Sequence, residues 1–227
     1  MMDRIRVTSV SVKPYHCSDP RLKAFATIIL NRDFAVKELK IIERRDGMFV
    51  AMPNCRGRDG LFHDLAHPLD QETRDIVHSA VLEAYHAELS GASAPADNRV
   101  APAHEDSSQA PGIVVTHVAI RPHTNSDPKL QGFATVILNG AFVVKDIRII
   151  HGPSGWFVAM PSRKRRDGQF HDVAHPLRQS VRTMIEDRVL SEFAAQIAQL
   201  HDKAPIIESL TAELHLRDRE RIRRQIG

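Results

Sequence analysis

Phe49-Val50-Ala51-Met52-Pro53 and Phe62-His63-Asp64-Leu65-Ala66-His67-Pro68 each occur twice, returning as Phe157-Val158-Ala159-Met160-Pro161 and Phe170-His171-Asp172-Val173-Ala174-His175-Pro176. The offset is 108 both times. Working outward, the stretch from Val7 to Tyr85 aligns with Val115 to Phe193 without a gap, and roughly half of the paired positions are identical. A period this long signals duplicated domains rather than a solenoid. Two copies of about 80 to 90 residues suit a chain of 227. A unit that small buries a modest share of its surface, so the copies are expected to lean on each other.

Each copy begins with strand-like segments. Leu22 to Leu30 and Leu130 to Leu138 are rich in Ile, Val, Phe and Thr, and Phe34 to Ile42 and Phe142 to Ile150 follow them. Between them stand Asn31-Arg32 and Asn139-Gly140, the second being the strongest short hairpin signal. In the next strand the apolar phase slips: Phe34 and Val36 alternate, then Leu39 and Ile41 do so out of step, and Phe142, Val144, Ile147 and Ile149 slip at the same place. The shared slip predicts a bulge or a change of face. A short strand through Phe49 to Met52 comes next, then turns at Asp59-Gly60 and Asp167-Gly168, and His-Pro closes the sheet region. A helix is predicted after it, capped by Asp70 or Thr73 in the first copy and by Ser180 in the second. Its apolar stripe is Ile76, Val77, Ala80, Val81, Ala84 and Tyr85, or Ile185, Val189, Phe193 and Ile197. Each unit is therefore α+β, an antiparallel sheet followed by a C-terminal helix.

The predicted organisation is a first unit over 4–90, a linker over 91–112, a second unit over 113–198 and a tail over 199–227. The linker, rich in Ala, Pro and Ser, cannot offset its ordering entropy by burial. As a flexible chain it spans about 25 Å, enough for two small domains to dock side by side. The tail carries Ile207, Leu210 and Leu214 at helical spacing and then Arg217, Arg219, Arg221, Arg223 and Arg224. It reads as an amphipathic helix with a basic end.

Overall charge is mildly basic, 31 Lys and Arg against 28 Asp and Glu. The excess is uneven: thirteen basic residues face twelve acidic ones over 4–90, but eleven face seven over 113–198. The second copy is thus the better candidate for a polyanion partner. Cys17 and Cys55 align with Asn125 and Arg163, so a disulfide essential to the repeat is not expected, and both read as free thiols in a reducing cytoplasm. With no leader-like segment and no stretch near 18 apolar residues, a cytoplasmic protein without a membrane partner is expected.

The repeated run resembles the SpoVG family, the stage V sporulation protein G family of bacterial septation regulators. The likeness rests on an Ala-Phe-Ala-Thr or Gly-Phe-Ala-Thr strand, a Phe-x-Val-Lys-x-[Leu/Ile] strand, Gly-[Met/Trp]-Phe-Val-Ala-Met-Pro, a basic turn ending in Asp-Gly, Phe-x-Asp-[Leu/Val]-Ala-His-Pro and the terminal helix. It covers nearly the whole of each copy. The resemblance implies an α+β unit that pairs into a homodimer and binds DNA and RNA as a regulator. Here two units are fused, which implies an intramolecular pseudo-dimer in which each copy covers the other's exposed strand edges. Further association into higher oligomers remains open.

Candidate contacts follow from the loop that differs most between the copies. Asn54-Cys55-Arg56-Gly57-Arg58-Asp59-Gly60 becomes Ser162-Arg163-Lys164-Arg165-Arg166-Asp167-Gly168. Four consecutive cations repel unless solvated or set against an anion, so Arg163, Lys164, Arg165 and Arg166 are candidate phosphate contacts, with Arg56 and Arg58 weaker ones. Arg74 and its counterpart Arg182, with Arg178 and Arg188, are candidate base-reading side chains on the helices. Trp156 and Tyr15 are the aromatic candidates for base stacking. The first copy would then mainly complete the architecture, and the second would make most of the contact.

The rival chemistry is a metal or acid-base role for His63, Asp64 and His67. In an extended run ending at proline, residues four apart lie about 13 Å apart, and a third ligand is not apparent, so structural histidines are expected. No phosphate loop, nucleophile elbow or paired Cys motif is present in the sequence. A non-enzyme without cofactor is therefore expected: a DNA- or RNA-binding regulator or, alternatively, an adaptor that recruits septation proteins.

Overall fold

The computed structural model describes residues 4–15, 19–57, 59–91, 112–123, 127–164 and 168–199. The first unit runs β1 (Val7–Pro14), β2 (Leu22–Leu30), β3 (Phe34–Arg44), β4 (Gly47–Ala51), β5 (Asn54–Arg56), β6 (Phe62–Asp64), β7 (Ala66–Pro68) and α1 (Gln71–Leu89). The second repeats it as β8 (Val115–Pro122), β9 (Leu130–Leu138), β10 (Phe142–Gly152), β11 (Gly155–Ala159), β12 (Ser162–Lys164), β13 (Phe170–Asp172), β14 (Ala174–Pro176) and α2 (Gln179–Gln199). Most of the predicted linker and nearly all of the tail lie outside the described residues, as does Cys17.

The β2–β3 and β9–β10 turns need two consecutive residues in the left-handed region. Asn31 and Arg32 have φ of 48° and 62°, and Asn139 and Gly140 have 50° and 70°. This is the twist-matched turn that Asn-Gly favours. The predicted slip is a bulge: the β2–β3 register breaks between Ala26 and Ile28, opposite Leu39 and Val36, and Glu38 has φ 63°. Asp146, at φ 57°, occupies the same place in β10.

The bulge divides β3 into two halves with different partners. Its C-terminal half pairs with β4 of its own unit, Arg44 opposite Gly47. Its N-terminal half pairs with β14 of the second unit, Phe34 opposite Pro176 and Val36 opposite Ala174. The second sheet mirrors this, β10 taking β11 from its own unit and β7 from the first, with Phe142 opposite Pro68. Each unit thus donates its Ala-His-Pro strand to the other's sheet, and both sheets have five strands. Four further bonds cross the seam: Lys37 N–H donates to Val173 O and Lys145 N–H to Leu65 O, both at 2.7 Å, and Leu177 N–H donates to Asp33 O at 2.7 Å and Leu69 N–H to Ala141 O at 2.8 Å. The fused pair is an internal pseudo-dimer. Paired backbone groups replace edges that would otherwise be open to other chains.

One apolar cluster runs through both units, from Ile28, Phe34 and Leu39 to Phe142, Ile147 and Phe193. A shared core suits units too small to bury enough surface alone. On α1 the buried face is Thr73, Val77, Val81 and Tyr85. Ile76, expected in the stripe, is instead 38 % exposed, because a step of four residues carries the face through Thr73. Asp70 caps α1, its carboxylate accepting from Thr73 N–H at 2.7 Å. Ser180 does not cap α2. It lies inside the helix, which starts at Gln179, and the residue before that start is Arg178. The predicted stripe of Ile185, Val189, Phe193 and Ile197 is buried.

Candidate nucleic-acid interface

The cation-bearing loops are two short hairpins, β5–β6 and β12–β13. In the first, the turn rests on Asp59-Gly60. Asp59 Oδ1 accepts from Leu61 N–H at 3.0 Å, and its other oxygen lies 2.8 Å from His63 Nε2. The Leu61 amide and then His63 hold the Asp59 carboxyl below the usual range. Gly60 sits at φ 80°. At Gly57 an added Cβ would lie 2.5 Å from Asp59 Oδ1 and 2.8 Å from the His63 ring, so a larger residue there would displace the Asp59–His63 pair.

Cross-strand neighbours give each hairpin its chemistry. Arg56 faces Phe62, and Lys164 faces Phe170. All four are exposed, the phenylalanines at 71 % and 64 %. The equivalent pairs each set a cation beside a bare aromatic ring. Arg56 Nε donates to Gly60 O at 3.1 Å, which lays the guanidinium along the turn. The hairpins share a base: a guanidinium nitrogen of Arg163 donates to Asn54 O, and Cys55 and Arg163 line one cavity of about 200 Å³.

Strand alternation sends neighbouring cations opposite ways. Lys164 is exposed, whereas Arg163 turns into the seam and pairs with Glu38 at 2.7 Å. Arg165, Arg166 and Arg58 lie outside the described residues. Arg178 is turned inward as well, its Nε 2.5 Å from Asp33 Oδ1. Arg74 on α1 and Arg188 on α2 are exposed, and Arg182 is half-buried. Of the hairpin candidates, Arg56 and Lys164 are exposed and Arg163 links the two hairpins, while Arg74, Arg182 and Arg188 stand on their separate helices and Arg178 just before α2.

One aromatic expectation changes and one stands. Trp156 is 3 % exposed, stacked on His151 with centroids 4.6 Å apart and packed against Phe193, so it is a core residue. Tyr15 is 44 % exposed and sets its ring against Phe25. Phe62 and Phe170 are the rings that the hairpins leave exposed. Their position two residues past the glycine of an Asp-Gly turn, in strands of three residues, is the signal that could have found them, since a strand that short on a hairpin has no second layer to cover it.

The His-Asp-x-Ala-His run is two strands rather than one. Leu65 separates them, its N–H donating to Pro53 O at 2.8 Å. His63 belongs to the hairpin and pairs with Asp59, while His67 belongs to the exchanged strand, its Nδ1 3.0 Å from Pro68 O. Cys55 is a free thiol whose pKa is pushed up by burial and then by Asp146, whose carboxylate lies 3.8 Å away. Such a thiol is a poor nucleophile.

The SpoVG family profile matches residues 5–87 and again 113–195. The chain belongs to the SpoVG family. Relatives named as septation protein SpoVG include one from Bdellovibrio bacteriovorus, 45 % identical over 86 residues that cover 38 % of this chain and 78 % of the relative. Another, from Anaeromyxobacter dehalogenans, is 41 % identical over 103 residues, 45 % of this chain and all of the relative. A third, from Bacillus velezensis, is 47 % identical over 79 residues, 35 % of this chain and 80 % of the relative. Each of these matches is about one unit long, whereas this chain holds two SpoVG units in tandem. Among the described residues no helix is long and apolar enough to cross a membrane.

Proposed function

We propose that this tandem SpoVG chain is a cytoplasmic, non-enzymatic regulator that binds DNA or RNA through its paired hairpins, in septation or developmental gene control. The observation that carries the reading is the repeated exposed pair, Arg56 with Phe62 and Lys164 with Phe170. Phosphates are held by the cations, and unpaired bases stack on the rings, each stacked base being worth about 1–3 kcal/mol. Arg165, Arg166 and Arg58 extend the positive charge along the same loops, and Arg74, Arg182 and Arg188 on the helices supply further contacts.

The test is binding to single-stranded DNA, single-stranded RNA and duplex DNA across a salt titration. Affinity falls steeply with salt because phosphate contacts release counterions. Replacing Phe62 and Phe170 together by Ala weakens single-strand binding about tenfold or more while leaving the salt slope unchanged. Replacing Arg56 and Lys164 by Ala lowers the slope. Absence of salt-sensitive binding to any of the three would reassign the exposed rings to a protein partner, the role of a septation adaptor.

A further inference from the structure

The seam between the units repeats its backbone but not its charge. Asp33 is 1 % exposed, and its oxygens are taken by the last residue of the linker and by the second unit. Oδ2 accepts from Gly112 N–H at 2.7 Å, and Oδ1 lies 2.5 Å from Arg178 Nε. The latter two atoms meet off the hydrogen-bond axis, so charge is what joins them. At the equivalent place across the pseudo-twofold axis stand Ala141 and Asp70. The matching bonds from Leu177 to Asp33 and from Leu69 to Ala141 establish the equivalence. No charge crosses there, and Asp70 turns back to cap its own helix.

Because the exchanged strands have the same sequence, Ala-His-Pro in both, the backbone would accept like units as readily as unlike ones. The side chains would not. Two first units would set Asp33 of each against Asp70 of the other. Two second units would set each Arg178 against Ala141, leaving a largely buried guanidinium without a counter-charge. An uncompensated buried charge is strongly unfavourable, and building such penalties against a wrong partner is how selectivity between similar surfaces arises.

We propose that Asp33 and Arg178 form a pairing code that makes the two units mutually selective, each recognising the other and rejecting a second copy of itself. A second asymmetric contact helps on one side only. Glu38 pairs with Arg163, while its counterpart Asp146 meets Cys55. Two first units would lose that ion pair, but two second units would form one at each end, between Arg163 of each and Asp146 of the other. Rejection of like second units therefore rests on Arg178.

The test keeps the whole protein. A protease site is placed among residues 92–111, the chain is folded and cut, and the nicked protein is unfolded and refolded so that halves can exchange. Native mass spectrometry then separates the three possible pairs by mass. With the natural seam, the unlike pair exceeds its statistical share over like pairs by about tenfold or more. Asp33→Ala with Arg178→Asp copies Ala141 and Asp70 of the same molecule, so every seam becomes Ala opposite Asp, and the three pairs approach about 1:2:1. Ala141→Asp tests the same code with neither code residue changed. It gives Arg178 a partner in pairs of second units and sets a carboxylate against Asp70 in the unlike pair, so the unlike pair loses its excess and like pairs rise toward their statistical share. A natural seam that scrambles statistically, or both variants retaining natural selectivity, overturns the proposal.

Discussion

The residue just before the helix behaves differently in the two units. Asp70 caps α1 through Thr73, a local contact within three residues. Arg178 holds the same position before α2, offers no capping carboxylate, and reaches Asp33 in the other unit. The opposing turn differs in step, Asp33 in the first unit and Ala141 in the second. One copy satisfies its helix end locally, and the other spends the position on a contact between units. Fusion permits this, because a unit that must pair with an identical copy needs a self-complementary seam, whereas tethered copies can diverge.

Removing the partner on each side separates the two uses. Asp33→Ala strands Arg178 and frees Gly112 N–H, and is expected to cost about 3 kcal/mol by chemical denaturation. Asp70→Ala removes only a cap and is expected to cost about 1 kcal/mol. Equal losses would show that the seam treats its two ends alike.

The exchanged strands supply the next contrast. His175 in β14 is depressed below the ordinary value of 6.5, first by burial and then by Lys37, with Arg182 adding to the effect and Asp172 opposing it. The unfolded chain therefore binds the proton more readily than the folded one. The stabilisation is complete above pH 6.5 and is lost as the pH falls toward the lower folded value. Denaturation midpoints measured from pH 7.5 downward should decline below 6.5, and His175→Asn should flatten that decline. An unchanged slope in the variant would remove His175 as its source.

The smallest expected effect lies in the hairpin turns. Arg32 holds φ 62° where the second unit has Gly140 at 70°. Arg32→Gly should stabilise the chain by about 0.5 kcal/mol, since glycine adopts this region without steric cost and that gain outweighs its greater unfolded freedom. Gly140→Ala should move stability the other way.

Local chemistry was legible in the sequence wherever a single element decides the outcome. The Asn-centred turns, the bulge at Glu38 and Asp146, the helix after His-Pro and the stripe of α2 all follow from spacing and residue type. Errors came where a neighbour decides. Trp156 and Phe62 are both aromatic residues in short strands, yet one lies under α2 against Phe193 and the other on an uncovered hairpin. Arg163 and Lys164 belong to one cationic run, yet Glu38 draws the first into the seam. Ser180 resembled a cap because its residue type suits one, but α2 starts at Gln179, the position equivalent to Gln71 at the start of α1, which leaves Ser180 inside the helix.

The sequence by itself determined that the chain is a tandem of SpoVG units, because an offset of 108 with repeated motifs is a property of the letters alone. It also determined the order of strands and helix, because turn chemistry and apolar period act over a few residues. Which sheet the Ala-His-Pro strand joins was decided only by the tertiary structure. A strand of three residues forms the same ladder with either sheet, and the choice depends on contacts that converge from both units, Asp33 with Arg178 and Glu38 with Arg163, across more than a hundred residues of chain.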